Sequence, residues 1–136
     1  MTIAAAEIQK ALHDALAEDP ALVAALGGSK IFDRPPAGVA FPYITFGRTS
    51  IHDWSTDTEG GTEQLLTLHI WSKSRGRKQA LEIMECVRAR LDRARVEPEG
   101  HHLIDLRLEY AETRFDDDID VYHGLMRFRA VTEPVA

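Results

Sequence analysis

Pro42-Tyr-Ile-Thr-Phe-Gly-Arg-Thr-Ser-Ile-His-Asp-Trp54, a polar crest over Ser55–Gly61, and Thr62-Glu-Gln-Leu-Leu-Thr-Leu-His-Ile-Trp71 read together as one long β-hairpin. Aromatic and β-branched residues recur at alternate positions, the pattern of a half-buried pleated surface. Leu66, Leu68 and Ile70 fall on one face, and Thr67, His69 and Trp71 on the other. Gly60-Gly61 supplies a turn signal in the crest. A strand of about a dozen residues spans roughly 40 Å, whereas a compact chain of this length is only about 37 Å across. The hairpin must therefore cross the whole body or project from it. A projecting hairpin exposes strand edges that another subunit is expected to cover.

Outward from the hairpin, the chain alternates helical and extended patterns. Residues 3–18 place Ala5, Ile8, Leu12, Ala15 and Leu16 on one stripe, predicting an amphipathic helix. Asp19-Pro20 restarts a short helix that buries Leu22, Val23 and Leu26 and stops at Gly27-Gly28. Lys30–Arg34 reads as a short strand, and Pro35-Pro36 with Gly38 forces an irregular link into the hairpin. After the hairpin, Ser74 is the expected cap of a long helix over residues 75–94, with Ala80, Ile83, Met84, Val87 and Leu91 at helical spacing. His102–Arg114 and Val121–Val131 alternate as strands around the Asp116–Asp120 turn. Tyr122, Met126, Phe128 and Ala130 share one face of the last strand; His123, Leu125, Arg127 and Arg129 share the other. The expected fold is α+β, an antiparallel sheet of two hairpins packed against N-terminal helices and one long helix, as a single domain over 1–136.

Composition narrows the function. The chain has 136 residues, enough for one core without disulfide or metal support. A formal net charge of −6 argues against a domain that grips nucleic-acid backbone. It does not argue against a surface that DNA slides past. Cys86 is the only cysteine, which rules out an internal disulfide and suits a reducing compartment. No apolar run is long enough for a spanning helix, and Met1–Ala6 lacks the pattern of a secretory leader, so no membrane partner and a cytoplasmic origin are expected.

The six histidines show no paired metal spacing, and a calcium loop at Asp116 fails because Val121 and Arg127 stand where glycine and glutamate are needed. No nucleophile elbow, phosphate-binding loop or dinucleotide fingerprint is present, so no catalytic residue, cofactor or metal is assigned. Lys73, Arg75, Arg77 and Lys78 crowd the start of the long helix, against the preference of the macrodipole for anions. A solvated basic turn is the plain reading; phosphate binding and docking onto acidic residues of another subunit are the functional ones, and the overall acidity favours docking. Asp57, Glu59 and Glu63 of the crest, and Asp116, Asp117 and Asp118 of the acidic turn, are the candidate partners in a head-to-tail ring. Trp54 and Trp71 read as packing or interface anchors, with Trp54 the interface candidate.

An ordered set of segments carries a family resemblance over nearly the whole chain. These are Asp19-Pro-Ala-Leu-Val-Ala-Ala-Leu-Gly-Gly-Ser-Lys-Ile-Phe-Asp33, Phe41-Pro-Tyr-Ile-Thr-Phe-Gly47 and Asp53-Trp-Ser-Thr56. Leu66-Thr-Leu-His-Ile-Trp-Ser72, the helix starting near Gly76 and Tyr122-His-Gly-Leu-Met-Arg-Phe-Arg129 complete it. The sequence resembles the small tail-completion, or tail-terminator, proteins of long-tailed phages and phage-derived gene transfer agents. The resemblance implies a virion protein assembled in the host cytoplasm, forming a ring, a hexamer, on the head-proximal end of a tail tube. Its implied partners are copies of itself, the tail tube protein and a head-completion (stopper) or connector protein, with DNA passing through the lumen without specific binding. The resemblance carries over neither catalytic nor individual contact residues. Two alternatives stay open: another connector of the same particle, such as an adaptor or head-completion protein, and a small enzyme or ligand-binding domain.

Overall fold

The computed structural model describes residues 3–135; the reading of Met1–Ala6 as no leader falls partly outside them. Three helices and five strands follow in the order α1 (Ala4–Ala17), α2 (Pro20–Leu26), β1 (Ile31–Phe32), β2 (Tyr43–Asp53), β3 (Thr62–Ser72), α3 (Lys78–Leu91), β4 (His101–Asp116) and β5 (Val121–Pro134). The strands form one sheet in the spatial order β1-β2-β3-β5-β4. The fold is α+β, as the hydrophobic periods predict. β1 pairs parallel to β2, and every other neighbour is antiparallel.

Alternation along the strands creates one buried face and one open face. Ile44 and Phe46 of β2, Leu66, Leu68 and Ile70 of β3, and Met126, Phe128 and Ala130 of β5 join the helices in a single core cluster. Ile8, Leu12 and Leu16 of α1, Leu22 and Leu26 of α2, and Ile83, Val87 and Leu91 of α3 fill it from the other side. Fully burying each such side chain contributes about 1.5–3 kcal/mol, so the amphipathic stripes account for the packing of the helices.

The first hairpin crosses the body, and its projection is one-sided. β3 is paired with β2 on one flank and along its whole length with β5 on the other, from Thr62↔Thr132 to Ser72↔Tyr122. β2, by contrast, runs on beyond the end of β1, so its outer edge past Phe46 stands clear. The second hairpin is the longer of the two, with 16 and 14 residues in its strands.

The helix after the first hairpin differs from expectation at both ends. It begins at Lys78, not Arg75, and Arg77 at the cap position makes no side-chain capping bond. Gly76 has φ +78, a left-handed break that ends the preceding turn. The residue that organises this turn is buried Ser72: its hydroxyl accepts from the Ser74 N–H and donates to Gln79 Oε1. At the far end, Arg93 donates its N–H to the Leu106 carbonyl at 2.8 Å and Asp92 Oδ1 accepts from the Leu108 N–H at 2.9 Å. The edge of β4 thus captures the chain before another helical turn can form.

Candidate assembly surface

The crest is held by its own side chains. Asp53 Oδ1 accepts from the Ser55 N–H and hydroxyl, and the Ser55 hydroxyl in turn accepts from the Gly61 N–H at 3.1 Å. These bonds hold the Asp53 carboxyl below its usual pKa. The reversal itself sits at Thr56–Glu59, where Thr56 donates to the Glu59 carbonyl and its hydroxyl accepts the Glu59 N–H. Gly60-Gly61 is therefore not the turn. Gly61 is required for close approach: an added Cβ would lie 2.8 Å from the Trp54 carbonyl.

Asp57 and Glu59 are exposed at the tip of the crest. Glu63, grouped with them on sequence, belongs to the open face of the sheet. It accepts from Arg129 Nε at 2.5 Å, and Arg129 also reaches Asp105, which pairs with Arg107. Trp54 lies over the Arg129 guanidinium, 6.0 Å from its ring centroid, yet remains 47% exposed. Trp54, Glu63 and Arg129 thus form one contiguous patch at the root of the crest.

Lys73, Arg75, Arg77 and Lys78 are exposed around the turn that follows Ser72. Lys73 sits over the Phe41 ring, Arg77 over the Tyr122 ring, and Lys78 approaches Glu82 one helical turn on. The registers Ser72↔Tyr122 and Asp116↔Val121 place this basic turn and the acidic turn of Asp116, Asp117 and Asp118 at the same end of the sheet. The acidic crest is at the opposite end, roughly 33 Å away along β3. Contact between the crest and the basic turn accordingly requires a second molecule.

Sequence reasoning missed a cluster on the open face. His69 and His123 lie 54 residues apart in sequence, but the β3–β5 register brings His69 Nδ1 within 2.6 Å of His123 Nε2. Trp71 stacks on His123 at 4.3 Å and 4°, and its indole N–H donates to Thr45 Oγ1 at 3.0 Å. Burial depresses both histidine pKa values, with His69 and Arg114 adding to the effect on His123. Gly47 of β2 makes room, because a Cβ there would fall on the His69 ring. The alternation of His69, Trp71 and His123 was the available signal; strand order was needed to join them.

Other features have structural accounts. Cys86 is half-buried, and burial raises its pKa, with Asp19, Glu85 and Glu82 adding to the shift, so the neutral thiol is favoured. The acidic turn is closed by Asp116 Oδ1 accepting the Asp118 N–H. Among the described residues no group of three or more His, Cys, Asp or Glu is placed to hold a metal ion. A groove of about 990 Å³ runs between loop 92–100 and the start of β4, with Arg93, Arg95, Glu97 and Glu99 along it. No helix of the described residues is long and apolar enough to cross a membrane.

Comparison with known proteins gives a family and a fold relative. Residues 10–133 match the family model described as tail completion protein gp17. No curated protein matches the sequence. Among solved structures, a chain in one titled "Virion of native gene transfer agent (GTA) particle" is similar with a TM-score of 0.90. It is 24% identical, with 98% of this chain and 99% of that chain covered. With the family model spanning all but the two ends, this chain belongs to the tail completion protein gp17 family.

Proposed function

We propose that this chain is a structural virion subunit that forms a ring at the head-proximal end of a phage-like tail tube. There it ends tube growth, offers the joint to the head-completion proteins and leaves a channel for DNA. The observation that carries this reading is the tail completion family match over residues 10–133. The likeness of the fold to a chain from a gene transfer agent virion supports a place in the particle. The separation of the acidic crest from the basic turn suits a subunit that meets different neighbours at its two ends. The net charge of −6 suits a passage through which DNA slides without being held. The role is architectural, with copies of the chain, the tube subunit and a connector as its partners.

The experiment is assembly of particles lacking the protein, followed by electron microscopy. Tails of uncontrolled length that fail to join heads are expected. Tails of normal length joined to heads would refute the reading. Binding separates this role from that of another connector: a terminator captures purified tube subunits, whereas an adaptor or head-completion protein captures the portal side. Replacing Thr56–Glu59 by a two-residue turn should leave a folded subunit that no longer ends tube growth. Normal tails from that variant would remove the crest from the mechanism.

A further inference from the structure

The sheet has two edges, and each is covered over only a few residues, leaving its far stretch free. On one edge, β1 covers β2 at Ile44 and Thr45, with the Ile44 N–H donating to the Lys30 carbonyl. Farther along, the Trp54 N–H donates inward to the Gly61 carbonyl. Antiparallel alternation then turns the main-chain groups of Thr49, Ile51 and Asp53 outward. On the other edge, Asp92 and Arg93 cover Leu106 and Leu108 of β4. Beyond the irregularity between Leu108 and Tyr110, the outward groups are those of Ala111, Thr113 and Phe115. None of these six residues has an outward main-chain partner among the described residues.

We infer that these two free stretches pair with one another between copies of this chain, β2 of one beside β4 of the next. The stretches match in length and parity. β2 and β4 run in opposite directions within the sheet, so continuing it across the junction produces an antiparallel pair. Setting Ile51 opposite Thr113 also sets Thr49 opposite Phe115 and Asp53 opposite Ala111. Three such pairs exchange about six N–H···O bonds.

The side chains agree with this register. Ile51 pairs with Gln64 and Thr113 with Gly124, so both lie on the helix-bearing face, as do Thr49 and Phe115. Ile51 and Phe115, exposed by 58% and 37% in the lone subunit, become diagonal neighbours there. On the open face, His52 comes opposite Glu112. Arg48 reaches the level of Asp116. A slip of one residue would put each of these side chains on the wrong face. Because the two edges differ, the contact is head-to-tail and can recur around a ring. It names the subunit contact of the proposed ring and rests on that reading only for closure.

Cysteine cross-linking tests it. In a Cys86→Ser background, Ile51→Cys and Thr113→Cys would stand about 5.5 Å apart between Cα atoms, within disulfide range. Mild oxidation of the double variant should give a ladder of covalent multimers. Either single variant alone should stay monomeric on a non-reducing gel, and the two mixed should give only covalent dimers. Multimers seen by native mass spectrometry with no covalent ladder would overturn the edge contact and leave the ring reading standing. Covalent dimers from one single variant would overturn the head-to-tail geometry. Monomers at every concentration, uncross-linked even with tube subunits present, would overturn both.

Discussion

Gly47→Ala probes the packing of the open face at a single atom. The added Cβ would fall on the His69 ring, closer than any real carbon contact. His69 must swing away, since Phe46 and Thr49 on either side of Gly47 are held in register by β3. The swing breaks the 2.6 Å contact with His123 and the stack on Trp71. Overpacking of this kind costs about 1–3 kcal/mol, and loss of one intramolecular hydrogen bond adds about 1 kcal/mol. The expected total is about 2–4 kcal/mol. At roughly 0.3 kcal/mol per kelvin for a chain of this length, that lowers the melting temperature by about 7–14 °C. Urea denaturation and calorimetry of Gly47→Ala, His69→Ala and the double variant measure it. The double variant should be less destabilised than the sum of the singles by about 1–2 kcal/mol, because removing the ring restores the space. A Gly47→Ala cost below about 0.5 kcal/mol, or strict additivity, would refute the steric account.

Other consequences follow from the same geometry. His69 and His123 both have folded pKa values below the ordinary 6.5 because they are buried, so the folded chain binds fewer protons than the unfolded chain in the window beneath that value. Stability is therefore complete above about pH 6.5 and falls as pH drops through the window, more gently in His69→Gln; a flat profile between pH 7 and 5 would count against it. Arg129→Met should cost about 1–2 kcal/mol, since it strands the partly shielded Glu63 and Asp105 carboxylates, and Glu63→Gln should recover part of that in a double-mutant cycle. Reversing the charges of Arg75, Arg77 and Lys78 should leave the melting temperature within a few degrees while weakening self-association in sedimentation. Unchanged sedimentation would remove the basic turn from the subunit contact.

The helices were legible because their stripes obey a period that local chemistry enforces, and Pro20 and Gly27 mark α2 to the residue. The faces of β3 and β5 were legible for the same reason. Helix α3 was less so at its ends: Ser74 looks like a cap, but Gly76 and the buried Ser72 hydroxyl decide where the helix starts. The pairing of Glu63 with Arg129 was not legible, because the two are 66 residues apart in sequence.

Length, alternation and charge by themselves determined that this chain is an α+β protein with a long first hairpin, an acidic tip and a basic turn. Strand order lay beyond them. Only the tertiary structure inserted β5 between β3 and β4, because α3 carries the chain across the sheet and leaves a gap for the last strand to fill. That insertion joins His69 to His123 and Glu63 to Arg129, and it sends β4 to the edge. The physical reason is that side-chain periodicity reports which face a residue occupies, whereas strand neighbours are chosen by main-chain hydrogen bonds that are alike at every residue.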